Sequence, residues 1–179
     1  YFVMELIEGQ PIDRHCAAAR LGIEERLRLF AKVGLAVHHA HQHLVVHRDL
    51  KPGNIQVQRD GVPKLLDFGI ARLLLSEEGG ASDPTLTAAR LLTPEYASPE
   101  QLAGREVTTA SDVYSLGVVL YELLTGNKPF RADSRSPADW ERLVSTQPPT
   151  RPSTVVVGRG TPARAEEKPR DPEAFAASC

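Results

Sequence analysis

The sequence predicts an α+β fold that is mainly helical, with short β-hairpins beside a polar cleft. Three observations carry this expectation. Residues 24–43 and 109–126 are long stretches whose apolar side chains recur at helical spacing. Between them, Asn54 to Asp67 alternates in short runs broken by Asp60-Gly61, the pattern of a two-stranded hairpin. In and beside that hairpin stand Asp49, Lys51, Asn54 and Asp67, and crowded charges without a task are costly.

The elements follow in chain order. Glu24 to His43 reads as the first long helix, with Leu27, Phe30, Ala31, Gly34 and Leu35 at steps of three and four residues. It leads into the turn His47-Arg48-Asp49-Leu50-Lys51-Pro52-Gly53-Asn54. A hairpin brings its own ends together, so Asn54 and Asp67 are expected to be neighbours in space. Thr109 and Asp112 have capping-box spacing and open a second long helix that ends near Gly126. Val113, Leu116, Val118, Val119, Leu120, Leu123 and Leu124 make that helix apolar nearly all round, which predicts burial at the centre of the domain. Ser136 to Ser145, with Trp140, reads as a further short helix. Beyond it Pro148, Pro149, Pro152, Pro162, Pro169 and Pro172 break the periodicity, so 151–179 is expected to be an extended or disordered tail. The chain has no internal repeat.

The polar residues define a chemistry. A hydroxyl that attacks must be oriented and must lose its proton, which a carboxylate held in a turn, Asp49, can accept. Negative charge developing on a transferred phosphoryl group calls for a cation, and Lys51 stands in the same turn. Magnesium takes oxygen ligands with water and phosphate completing its shell. Asn54 and Asp67 offer an amide oxygen and a carboxylate.

Residues 47–54, Asp67-Phe68-Gly69 and Thr93-Pro94-Glu95-Tyr96-Ala97-Ser98-Pro99-Glu100 resemble the signature set of protein kinases. The resemblance continues through Ser111-Asp112-Val113-Tyr114-Ser115-Leu116-Gly117 and Leu124-Thr125-Gly126-Asn127-Lys128-Pro129-Phe130. It covers roughly 1–150 and is similar in detail to the bacterial eukaryotic-like serine/threonine kinases. It implies the mainly helical large lobe of the kinase fold, with ATP and Mg²⁺ as cofactors and protein serine or threonine side chains as substrates. By the same resemblance 1–9 is the end of the small lobe and the hinge, 10–150 the large lobe, 47–54 the catalytic turn, 67–69 the metal motif and 67–100 the activation segment.

Site roles follow only where residues match. Asp49 is then the catalytic base, Lys51 the phosphate-contacting lysine, and Asn54 and Asp67 the metal ligands. Asp-Leu-Lys-Pro-x-Asn looks like the serine/threonine pattern, since tyrosine kinases usually place Ala and Arg there. Thr93 shapes the substrate pocket. Met4 is similar to a gatekeeper, with the Glu5 carbonyl and the Ile7 amide bonding the adenine edge and Gln56 beneath the ring where Leu is usual. Arg48 marks kinases switched by phosphorylation of the activation loop, where Ser76, Ser82, Thr85 and Thr87 are candidates and Thr85 and Thr87 are preferred. His47 resembles the family's spine histidine, Phe68 a packing residue of the same spine, and Asp112 a brace for the catalytic turn. Ser98 replaces the usual Ala of Ala-Pro-Glu, and Arg170 is the candidate partner for Glu100.

The sequence holds no Gly-rich loop and no Val-Ala-Ile-Lys motif, so it reads as a fragment of a longer kinase, with little or no activity expected of the isolated chain. At 179 residues and 41% hydrophobic composition it suits one domain with a sizeable core. A net charge of −2 gives no electrostatic case for nucleic acid or an anionic membrane. Two cysteines, Cys16 and Cys179, make no disulfide framework, which fits a cytoplasmic setting. The longest apolar run, Leu116 to Leu124, is too short to span a bilayer. A full-length parent anchored to a membrane by another segment, and autophosphorylating or dimerising, agrees with the resemblance.

Competing readings are weaker. His38, His39, His41, His43 and His47 crowd together, but no carboxylate accompanies His39 and His43 as in a zinc protease motif, so packing and solvated helix positions are expected. A truncated, non-catalytic lobe serving as a protein-binding module is the alternative from another class. A small-molecule phosphotransferase would share the Asp, Asn and metal Asp, yet Lys51 and 93–100 resemble a peptide-substrate groove.

Overall fold

The stretch Ile55–Gln58 alternates buried Ile55 and Val57 with half-exposed Gln56 and Gln58, and forms the central strand, β2, of a three-stranded antiparallel sheet. In this computed structural model, which describes residues 5–68, 93–132 and 136–160, the sheet order is β1-β2-β3, with β1 at Gly9–Pro11 and β3 at Pro63–Leu65. The expected hairpin is β2 with β3, in register Ile55 with Leu65 and Val57 with Pro63. Its turn closes through Gly61, at φ 78°, and the Asp60 side chain accepts the Val62 N–H at 3.0 Å. β1 is an addition that no alternation announced. A Cβ on Gly9 would sit 2.8 Å from the Val57 carbonyl oxygen, so glycine is what lets β1 approach β2.

Helices pack around this sheet. α1 spans Ile12–Ala18 and α2 Ile23–Gln42, where Glu25 reaches back to accept the Gly22 N–H at 2.7 Å. A single 3₁₀ turn, Pro52–Asn54, leads directly into β2. After the second described stretch begins at Thr93 come α3, Pro99–Leu102, and α4, Thr109–Thr125. α5 spans Pro137–Thr146 and α6 Pro152–Gly160. α2 packs on α4 and β3, α1 on β2 and α4, and α3 on α5. The core joins Ile12, Cys16, Leu29, Val33, Ile55, Val57, Tyr96, Val118, Val119 and Leu123. A second, smaller cluster of Ala97, Leu102 and Trp140 fastens α3 to α5.

Four expectations need correction. α2 buries Leu29, Val33 and Val37, whereas Leu27 is 42% and Leu35 69% exposed. The helix carries apolar residues on two sides, and only the partners α4 and β3 decide which side is core. In α4, Val113 is 61% exposed, while the polar Ser111, Asp112, Ser115 and Thr125 are buried. The cap of α4 is Thr108, not Thr109: Thr108 Oγ1 accepts the Ala110 N–H at 3.2 Å and the Thr108 N–H donates to Ser111 Oγ at 3.2 Å. That frees Asp112 for another task. Lastly, residues 152–160 are helical rather than extended: Pro152 is the first residue of α6, where a proline's missing N–H costs nothing, and α6 packs on α4. Residues 161–179, including Arg170 and Cys179, lie outside the described residues.

The end of α4 obeys the expected rule. Gly126 takes the left-handed conformation, φ 65°, and its N–H reaches the Glu122 carbonyl at 2.7 Å. Ser98, where the resemblance leads one to expect Ala, caps α3 by accepting the Gln101 N–H. Among the described residues no helix is long and apolar enough to cross a membrane.

Candidate active site

The turn between α2 and β2 contains Arg48 at φ 69°, and Asp67 beyond β3 has φ 51°. A non-glycine residue in the left-handed region is strained and persists only when its surroundings hold it. For Arg48 the holders are identifiable. Asp112, 1% exposed, accepts the His47 N–H through Oδ2 and the Arg48 N–H through Oδ1, each at 2.8 Å. His41 Nε2 lies 2.8 Å from the same Oδ2. On the other side, Gln101 Nε2 donates to the Arg48 carbonyl at 2.8 Å. The turn is thus hung from α4 and α3, with His41 of α2 bracing the Asp112 carboxylate.

This arrangement brings four of the expected residues into one cluster. Lys51 Nζ sits 2.8 Å from Asp49 Oδ2 and donates to Thr93 Oγ1 at 3.2 Å. Asn54 Nδ2 donates to the Asp49 carbonyl at 2.8 Å and to Asp49 Oδ2 at 2.9 Å. Asp49 is 22% and Lys51 29% exposed, so both still meet solvent, while Asn54 is buried. The Leu66 N–H donates to the Asn54 carbonyl at 2.9 Å, which sets the exposed Asp67 one residue from the end of that bond. The result is a carboxylate, an ammonium, an amide and a second carboxylate at one end of a hairpin, chemistry suited to holding phosphate oxygens and a hard cation.

Other candidates are placed less tightly. Gln56 is half-buried on β2 and turns its amide back on the Gly53 carbonyl at 3.0 Å. Glu5 is exposed and Ile7 half-buried, in the irregular stretch that leads into β1. Met4, the loop residues Arg72, Ser76, Ser82, Thr85 and Thr87, and Gly69 lie outside the described residues. The histidines divide as packing and helix positions: His43 Nδ1 contacts the His39 carbonyl at 2.8 Å, with the two rings 4.4 Å apart.

Burial shapes the protonation of the supporting residues. His47 is 1% exposed, stacks on Phe68 with ring centroids 4.6 Å apart, and its Nδ1 is 3.4 Å from the Asp49 N–H. Burial pushes its pKa below the usual 6.5, outweighing the pull of Asp112 and Asp49, so the ring is held neutral. Glu100 behaves in the opposite way. Burial alone would raise its carboxyl, but the hydroxyls of Ser111 and Ser98, its own backbone amide and Arg105 hold it below the ordinary range. Ser111 Oγ donates to Glu100 directly. Tyr96 donates to Glu122 at 2.6 Å, and burial together with that carboxylate raises the phenol far above its normal value. Lys128 caps this pair, 5.0 Å above the Tyr96 ring and 3.4 Å from Glu95.

Gln101 and Glu122 stand out in no sequence pattern, and the sequence offers His41 only as one of a crowd of histidines and Ser111 only as the start of a motif, without the partners they take. The partners of His41, Gln101, Ser111 and Glu122 are 71, 53, 11 and 26 residues away in the chain, so no local spacing marks them.

Known proteins are similar to this chain over most of its length. A family model described as the protein kinase domain matches residues 1–156. The chain is 38% identical over 153 residues to serine/threonine-protein kinase PknA of Mycobacterium tuberculosis, an alignment covering 85% of this chain and 34% of that protein. It is 42% identical over 135 residues to serine/threonine-protein kinase PknB of Mycolicibacterium smegmatis, covering 75% and 21%. It is 36% identical over 169 residues to a probable serine/threonine-protein kinase PknB of Bifidobacterium longum, covering 88% and 22%. The chain therefore spans about a third or less of the length of these curated relatives.

Proposed function

The chain belongs to the protein kinase domain family, and from that premise we propose that it is the large-lobe portion of a protein serine/threonine kinase, moving the ATP γ-phosphate to serine or threonine hydroxyls of proteins. The observation that supports this most is the closed set Asp49, Lys51, Asn54 and Thr93, in which Lys51 links the carboxylate to the threonine.

Each side chain then has a task. Asp49 accepts the proton of the incoming hydroxyl. Lys51, 2.8 Å from Asp49 and bonded to Thr93, keeps an ammonium beside the place where charge grows on the phosphoryl oxygens. Thr93 sets the wall of the pocket that a serine or threonine enters. Asn54 is anchored through its nitrogen on Asp49, so its oxygen is the atom to offer a cation, and the exposed carboxylate of Asp67 is the second donor. Two hard oxygen donors at a hairpin end fit Mg²⁺, which leaves its other positions to water and phosphate and, when bound, offsets the phosphate charge.

The adenine end falls to the Glu5 carbonyl, the Ile7 amide and the face of β2 that carries Gln56. Arg48 is the partner for a phosphate on the activation segment, with Thr85 and Thr87 as acceptors. We read 1–9 as the end of the small lobe and 10–150 as the large lobe, to which α6 adds one more helix. The chain by itself offers one wall of a nucleotide cleft that two lobes normally close, so alone it is expected to transfer little phosphate. We read the catalytic portion as cytoplasmic, with proteins as its substrates.

The test is phosphoamino-acid analysis after incubation with labelled ATP, Mg²⁺ and a protein mixture, using this chain joined to an upstream small lobe. Label on phosphoserine and phosphothreonine is expected. Label confined to phosphotyrosine, or to small-molecule alcohols, would overturn the reading.

A further inference from the structure

Arg48 immediately precedes Asp49, and its peptide groups determine where the Asp49 carboxylate points. Its left-handed backbone is gripped twice: Asp112 holds the N–H at 2.8 Å and Gln101 holds the carbonyl at 2.8 Å. The Asp112 grip comes from α4, whose Val118, Val119 and Leu123 lie in the main core. The Gln101 grip comes from α3, which closes the segment beginning at Thr93.

Gln101 is 9% exposed, and its two amide atoms serve different segments. The oxygen accepts the Ser98 N–H at 3.0 Å and lies 3.3 Å from the Ser98 hydroxyl, completing the cap of α3. The nitrogen leaves that cap and donates to the Arg48 carbonyl. A single side chain therefore joins the end of the Thr93–Ser98 stretch to the turn that carries Asp49. Glutamate at this position would keep the oxygen for Ser98 and lose the donor for Arg48. An apolar side chain would lose both.

We infer that Gln101 is a positioning residue for Asp49: its amide fixes the strained peptide before the carboxylate and couples α3 to the catalytic turn. The catalytic consequence rests on the proposed kinase function; the clamp does not. Lys51 and Asn54 hold the Asp49 side chain itself, so loss of Gln101 loosens the backbone beneath a side chain that stays tethered. The effect expected in a kinase is on the rate of transfer more than on binding of ATP or protein.

The deciding measurement is amide hydrogen exchange on the 179-residue chain, wild type against Gln101→Glu. Exchange over residues 47–51 should quicken by about tenfold, the worth of roughly one net hydrogen bond, with α3 and α4 within about twofold of wild type. The difference should close at low pH, because a protonated carboxyl regains an O–H that donates to the Arg48 carbonyl. If the buried carboxylate unfolds the chain, Gln101→Met and Ser98→Ala replace it. The first removes the bond to Arg48 together with the acceptor for the Ser98 N–H, and the second weakens the same cap without touching Arg48, so faster exchange at 47–51 in the first alone supports the inference. Unchanged exchange at 47–51, or a rise spread evenly over α3 and α4, would overturn it. With the small lobe joined, kcat of Gln101→Glu should fall about tenfold with both KM values within about twofold. An unchanged kcat would overturn the positioning role. No transfer by the wild-type joined form would count against the proposed function and leave the exchange result to decide the clamp.

Discussion

Replacing Asp112 with Asn removes one oxygen from the carboxylate on which the catalytic turn hangs. Asp112 Oδ2 receives the His47 N–H and faces His41 Nε2, and Oδ1 receives the Arg48 N–H, all at 2.8 Å. The better Asn rotamer keeps its oxygen at the Oδ2 position and points its NH₂ at the Arg48 N–H. That leaves the Arg48 N–H and the new NH₂ facing each other with no acceptor between them, at about 1–3 kcal/mol. The two surviving bonds fall from charge-assisted to neutral strength, together about 1 kcal/mol. The sum is about 3 kcal/mol. With a urea dependence of about 2 kcal/mol per molar for a domain of this size, the unfolding midpoint should drop by about 1.5 M. Val113→Thr, one residue along and 61% exposed, serves as the control and should shift stability by less than about 0.5 kcal/mol. An Asp112→Asn midpoint within about 0.3 M of wild type, on the same urea dependence, would refute the reasoning. It would mean that these bonds hold nothing that water does not.

Two further outcomes rest on burial. Ile55, 0% exposed at the start of β2, should cost about 2–5 kcal/mol when cut to Ala, read as a lower unfolding midpoint, because its side chain belongs to the core that β2 forms with Ile12 and Cys16 of α1. His47 has its pKa depressed in the folded protein, first by burial, so the unfolded chain binds its proton more readily. The stability it contributes is complete above the unfolded value of 6.5 and is lost as pH falls through that value toward the folded one. His47→Phe should flatten that part of a stability–pH profile, while the acid loss from Glu100, whose carboxyl is held low, remains at more acidic pH.

Local patterns make the hairpin and the long helices legible in the sequence. Asp60-Gly61 announces a turn, and the four clustered residues Asp49, Lys51, Asn54 and Thr93 lie in or beside short motifs whose order is read directly. What local patterns do not carry is contact across the chain; the Asp112 brace is implied by the family resemblance alone. α2 has apolar residues on two faces, and Leu29, Val33 and Val37 are core only because α4 and β3 lie on their side. Thr108 and Thr109 are adjacent and equally good caps by type; the difference is that Asp112, three residues after Thr109, is committed to the Arg48 and His47 amides. Pro152 looks like a breaker but is a helix start, since a proline stops a helix arriving from before it and suits the first turn of one that begins with it. Gln101 and His41 carry no motif because each meets its partner only after folding.

The most direct test of the central claim is phosphate transfer from labelled ATP with Mg²⁺ by the chain joined to a small lobe, wild type against Asp49→Asn. Loss of transfer by roughly 10²–10⁴-fold, with folding and nucleotide binding retained, is the predicted result. Equal transfer by the two proteins, or a folded wild type that binds nucleotide and transfers nothing, would contradict it.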